Sequence, residues 1–182
     1  MRTLIFALIL SSFNTFTQAQ TQALSRNIGE IKWQKHSTDA YSIDVLSSWE
    51  KNNSDQFGTE FIFFLATTNK DLTFRENINL LIQNLEGKNI DLNEYVSISE
   101  EQIKTMLTNA KITESIRIKG NLHESHKIIF SGDQGIYKLK FEQRYIVVKN
   151  KAYVLTYTSQ ESDFDNSLKD VETSLNSFTI LN

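Results

Sequence analysis

Hydrophobic and polar positions alternate along most of this chain, and two stretches replace the alternation with a helical period. Tyr41-Ser42-Ile43-Asp44-Val45 repeats every second residue, which predicts a half-buried strand, with Trp33 to Lys35 opening the fold ahead of it. A polar turn is expected after Trp49, over Lys51 to Gln56. Glu60 to Thr67 (EFIFFLAT) is apolar at both parities, as a strand covered on both faces should be. Phe74 to Leu85 alternates again. It places Phe74, Ile78, Leu80 and Ile82 on one face and Arg75, Asn77, Asn79 and Gln83 on the other.

The first helix opens at Asp91, an N-cap residue whose partner Glu94 three positions later completes a capping box. Leu92, Val96, Ser99, Ile103, Met106 and Ala110 then recur at helical spacing, with Leu107 beside Met106. Ile112 to Lys119 and Ser125 to Ser131 read as strands joined through Gly120-Asn121, and Gly132 to Gly135 reads as a turn. Ile136 to Val148 is the longest predicted strand, returning through a tight Asn150-Lys151 hairpin into Tyr153 to Thr158. A last helix, capped near Ser162, carries Phe164, Leu168, Val171, Leu175 and Phe178 as a core-facing stripe. Hairpin-linked strands with two long amphipathic helices predict an α+β fold. The expected form is a layered α/β/α sandwich, its mainly antiparallel sheet flanked by the helices.

The N-terminus breaks this pattern and reads as an address. Arg2 supplies a positive end, Leu4 to Leu10 (LIFALIL) a short apolar run, and Thr17-Gln18-Ala19 small residues at −3 and −1 of a cleavage site. A second cut after Ala23 fits as well. The run is too short for a spanning helix, which needs roughly 20 apolar residues. The expected organisation is a signal peptide at 1–19, a loose polar segment at 20–32, and one domain at 33–182. The expected location is the periplasm or the medium, with no integral membrane segment after cleavage. Cysteine is absent from the 182 residues, so the exported chain needs core packing in place of disulfides and has no residue for lipid attachment. The formal charge of −3 becomes −4 when Arg2 leaves with the signal, which gives no general attraction to nucleic acid.

Catalytic chemistry finds little footing. His123 and His126 flank Glu124, but an odd spacing between two strands separates the rings, and only His36 remains as a third ligand. Glu100-Glu101, Asp163, Asp165, Asp170 and Glu172 fall in first turns or on solvated helix faces. There is no G-x-S-x-G, no phosphate loop and no cofactor motif, so neither cofactor nor metal is expected.

Two surfaces remain as candidate interaction sites. Lys138, Lys140, Glu142 and Arg144 fill the polar face of the longest strand. They either dock an acidic partner or an anionic headgroup, or protect an exposed sheet face or edge, and protection is the commoner use. Phe61 and Phe63, within the Phe61–Leu65 run, either line a groove for an apolar ligand or belong to a strand buried on both sides, the commoner case.

Three runs resemble the PsbP/Mog1-like superfamily, and within it the bacterial PsbP-related proteins of unknown function. They are Tyr41–Trp49 (YSIDVLSSW), Phe74-Arg75-Glu76-Asn77-Ile78-Asn79 and Asp91-Leu92-Asn93-Glu94-Tyr95. Gly135 to Thr158 and Phe164 to Phe178 continue the likeness, which spans about residues 41–180. Relatives typically carry a proline before Ser-x-Trp, where this chain has Leu46. The resemblance implies an antiparallel sheet flanked by helices and a non-enzymatic role. The expected partner is another envelope protein, the alternative is a carrier or sensor of a small apolar ligand, and a metal-dependent or hydrolytic enzyme is a remote third.

Overall fold

In the computed structural model the described residues are 32–52, 58–65, 74–120 and 122–181. The expected signal peptide, 1–19, and most of the expected N-terminal segment, 20–32, lie outside them. Among the described residues ten strands and two helices follow in chain order: β1 (Trp33–Ser37), β2 (Tyr41–Leu46), β3 (Glu50–Lys51), β4 (Phe61–Phe64), β5 (Asn77–Asn84), α1 (Leu92–Met106), β6 (Thr108–Ile118), β7 (Ser125–Gln134), β8 (Tyr137–Val148), β9 (Lys151–Gln160), α2 (Phe164–Ser177) and β10 (Thr179–Ile180). They form two antiparallel sheets, one of three strands ordered β1-β2-β10 and one of seven ordered β3-β4-β5-β9-β8-β7-β6. The small second sheet was not expected from the sequence. It exists because the chain returns after α2 to lay Thr179 and Ile180 against Ser42 and Tyr41.

The large sheet is packed on both faces. On one, Ile128, Phe130, Leu139, Phe141, Tyr145 and Val154 meet Tyr95, Val96 and Ile103 of α1. Phe130 and Phe141 stack there at 4.7 Å. On the other face, Ile78, Leu80, Tyr153, Leu155 and Tyr157 meet Phe164, Val171 and Leu175 of α2, together with Tyr41, Ile43 and Val45 of β2. Strand alternation produces this division: even residues of β9 join one core and odd residues the other.

Local chemistry sets the boundaries. The Asp91 carboxylate accepts the Glu94 amide at 2.8 Å, so α1 starts where its capping residues place it. It stops at Met106, earlier than the spacing suggested. Asn109 takes a left-handed φ of 55° and its amide reaches Asp133 at 2.6 Å, turning the chain directly into β6. Ala110 is therefore a strand residue, and Met106 faces out while Leu107 is buried. The Gly132–Gly135 turn is also corrected. β7 runs on to Gln134 and pairs it with Tyr137, leaving Gly135-Ile136 as a two-residue turn with Gly135 at φ 60°. The next hairpin turns on Lys149-Asn150, one residue earlier than expected, with φ of 50° and 58°. Although Leu46 stands where proline is usual, the turn forms, with the Trp49 amide donating to Leu46 O at 2.9 Å. Phe74 does not share a face with Ile78; it joins the core under α1. The α2 stripe packs as its spacing predicts, with Asp163 at the N-cap.

Candidate functional site

The seven-stranded sheet is wider than what covers its α2-facing side. α2 and β2 pack over β9 and its neighbours, while β7 and β6 extend past them. At the resulting step, under the C-terminal end of α2, lies a cavity of about 420 Å³. Ile146, Leu155, Leu175, Phe178 and Ile180 supply apolar walls, and the β6–β7 connection closes one side with Lys119, Leu122 and His123.

Arg144 enters this cavity from β8 and is 8% exposed. Its Nε donates to Glu142 Oε1 at 2.7 Å, and Nη1 donates to Asn176 Oδ1 on α2. Glu142 lies two residues away on the same strand face and is fully buried. A buried carboxylate requires such a partner, because desolvating an isolated charge is costly. The cavity lining includes Arg144, Lys119 and His123 and no carboxylate among the described residues.

The structure does not gather the five residues singled out from the sequence. Lys138 is exposed. Lys140 is half-buried, 3.4 Å from Asp165 of α2, with its ammonium 4.4 Å over the Phe164 ring. Arg144 lies in the cavity floor. β8 is an inner strand between β9 and β7, and α2 covers the face that carries Glu142 and Arg144, so this face does not guard an open edge. Phe61 and Phe63 are each 2% exposed, packed beside Tyr41, and neither lines the cavity.

The histidines separate as well. His36 sits on β1 against Phe61 and Phe63, its pKa lowered by burial and then by Lys51. His123 lines the cavity mouth. His126, on β7, forms a chain that sequence reasoning missed: Ser115 Oγ donates to Glu100 Oε1 at 2.6 Å and lies 2.8 Å from His126 Nε2. With the hydroxyl proton directed to Glu100, the ring must donate from Nε2. Burial, then Arg117, lowers the His126 pKa, with Glu100 opposing. Only the β6–β7 register reveals this cluster, since it brings Arg117 opposite His126. Among the described residues no group of three or more His, Asp or Glu side chains is arranged to hold a metal. A half-buried carboxylate, Glu76, accepts from Tyr157 Oη at 2.8 Å; burial raises its pKa, an effect its hydrogen bonds partly offset.

No helix among the described residues is long and apolar enough to cross a membrane. The arrangement of sheets and helices is the PsbP/Mog1-like fold, as the sequence resemblance implied. Cyanobacterial PsbP (CyanoP) from Synechocystis superposes with a TM-score of 0.64 at 13% identity, over 87% of this chain and 98% of its own. LpqN of Mycobacterium tuberculosis, involved in cell envelope biogenesis, gives 0.65 at 10% identity, over 85% and 94%. PA94 of Pseudomonas aeruginosa, a protein of unknown function, gives 0.58 at 13% identity, over 82% and 96%. No family model and no curated protein matches the chain.

Proposed function

We propose that the chain is an exported, non-enzymatic accessory protein that binds another protein of the cell envelope. Its scaffold is read as an α/β/α sandwich with α1 and α2 on opposite faces of the large sheet. The observation that carries the reading is β6. This eleven-residue edge strand pairs only with β7 among the described residues, and Ile116 on it is 44% exposed. An unpaired strand edge offers backbone donors and acceptors to an incoming strand. The fold shared with CyanoP and LpqN fits an accessory role, and the envelope function of LpqN fits an exported one. The Arg2–Ala19 segment supplies the export signal in this reading. In this reading the Ser115 hydroxyl is a structural bridge between Glu100 and His126 Nε2.

Fractionation of the host with N-terminal sequencing of the recovered protein tests export. The account expects a mature N-terminus after Ala19 or Ala23 in the envelope or medium, and an intact Met1 in the cytoplasm would refute it. Crosslinking from a photoreactive residue at Ile116, compared with one at Glu50 on β3 at the opposite end of the sheet order, tests the edge. A discrete adduct from Ile116 alone is expected.

The cavity favours a second reading, a carrier or sensor of a small ligand, because its volume lies in the range of small-molecule sites. The cavity sits under the end of α2 and not along the Phe61–Leu65 run.

A further inference from the structure

We infer that the cavity under the C-terminal end of α2 takes a small amphipathic anion, its charged head on Arg144 and its apolar body against Ile146, Leu155, Leu175 and Phe178. The inference rests on the second reading above and specifies its ligand. Three features converge on it.

The first is the charge of the lining, in which Arg144 and Lys119 are cationic and no described residue is a carboxylate, Glu142 pairing with Arg144 from outside it. A cationic ligand would meet like charges in a partly desolvated space, where they repel more strongly than in water. The second is the state of Arg144. A guanidinium has five N–H donors in a planar fork. Glu142 takes Nε and Asn176 takes one donor on Nη1, and the same side chain lines the cavity. Its position is thus fixed from behind, and the fork matches a carboxylate or phosphate monoester. A neutral apolar occupant would cover these donors without supplying acceptors, which is unfavourable for buried N–H groups. The third is shape. Leu155 and Leu175 are nearly fully buried, and with Ile146 and Phe178 they give the site apolar walls beside Arg144, which pairs across the strands with Leu155. That division suits a single short chain with a charged end.

Calorimetric titration of the purified protein with decanoate, decyl phosphate, decanol and decyltrimethylammonium tests the inference. One of the two anions is expected to bind at one per chain, at least tenfold tighter than decanol, and which one does so identifies the head group. The cation is expected not to bind. Shortening the chain should weaken the anion roughly fourfold per methylene removed. Arg144→Lys keeps the charge beside Glu142 but loses the fork, and is expected to weaken the anion on the order of tenfold or more. Lys119→Glu, at an exposed position on the rim, should weaken it severalfold whether or not the Arg144 variant folds. Decanol binding as tightly as either anion overturns the anion assignment and leaves the carrier reading standing. Saturable anion binding indifferent to both substitutions overturns this site. No binding by any probe overturns both.

Discussion

Arg144 and Glu142 lie two residues apart on the same face of β8, joined Nε to Oε1 at 2.7 Å, with the carboxylate fully buried. On an exposed strand this ion pair would contribute little. Beneath α2 its two members depend on each other.

Removing one member leaves the other charged and out of water. Arg144→Leu is expected to destabilise the fold by about 3–5 kcal/mol, the usual cost of orphaning a buried charge. The double replacement Glu142→Leu with Arg144→Met is expected to recover most of that loss, because an apolar pair of similar volume needs no solvation. Denaturant titration of the two variants checks this. A double variant as unstable as Arg144→Leu would mean that the pair matters for more than charge balance.

Gly132 is a glycine for lack of space. A Cβ placed there would stand 2.8 Å from Leu107 Cβ, at the point where α1 passes into β6. Gly132→Ala is therefore expected to cost about 1–3 kcal/mol by overpacking. Pairing it with Leu107→Gly, which removes the Cβ that the new methyl would strike, tests the cause. If the clash is responsible, the double variant loses less than the two single losses added together, as contacting sites do.

Stability should fall as the medium is acidified below neutrality. His36 and His126 both have pKa values below the ordinary 6.5, chiefly through burial. The folded chain therefore binds their protons less readily than the unfolded chain. Their contribution is complete above pH 6.5 and is lost as pH falls through the lower folded-state values. Thermal melts from pH 7.5 to 5.5 are expected to show a declining midpoint, with a shallower decline in His36→Phe and His126→Gln. An unchanged slope in both variants would assign the pH dependence to other groups. Glu76 works in the opposite sense. Its pKa is raised from 4.5, so its contribution is present below that value and is lost as pH rises through the folded-state value.

Where the signal was local, the sequence made the fold legible. Asp91 and Glu94 mark the start of α1 because capping is chemistry among four neighbouring residues. Phe164, Val171 and Leu175 mark the buried face of α2 because helical spacing is a local property. Hairpin tips slipped by a residue, since Lys149 adopts a left-handed conformation that its side chain does not advertise. The polar face of β8 misled for a longer-range reason. Glu142 and Arg144 look like solvated residues until α2 comes back over them and Asn176 joins Arg144 from 32 positions away. The cavity was equally hidden, because it arises from a mismatch between the width of the sheet and its cover. The Ser115–His126–Glu100 chain depends on a strand register that alternation alone does not set.

Native mass spectrometry tests the central claim most directly. The protein would be tagged at its C-terminus and purified gently from the envelope fraction of its own host, beside an Ile116→Lys variant. The account predicts a second protein copurifying at a fixed stoichiometry, lost or sharply reduced in the variant because Ile116 lies on β6, which pairs only with β7 among the described residues. A bare monomer mass from the unaltered protein, or a complex that Ile116→Lys leaves intact, would contradict it.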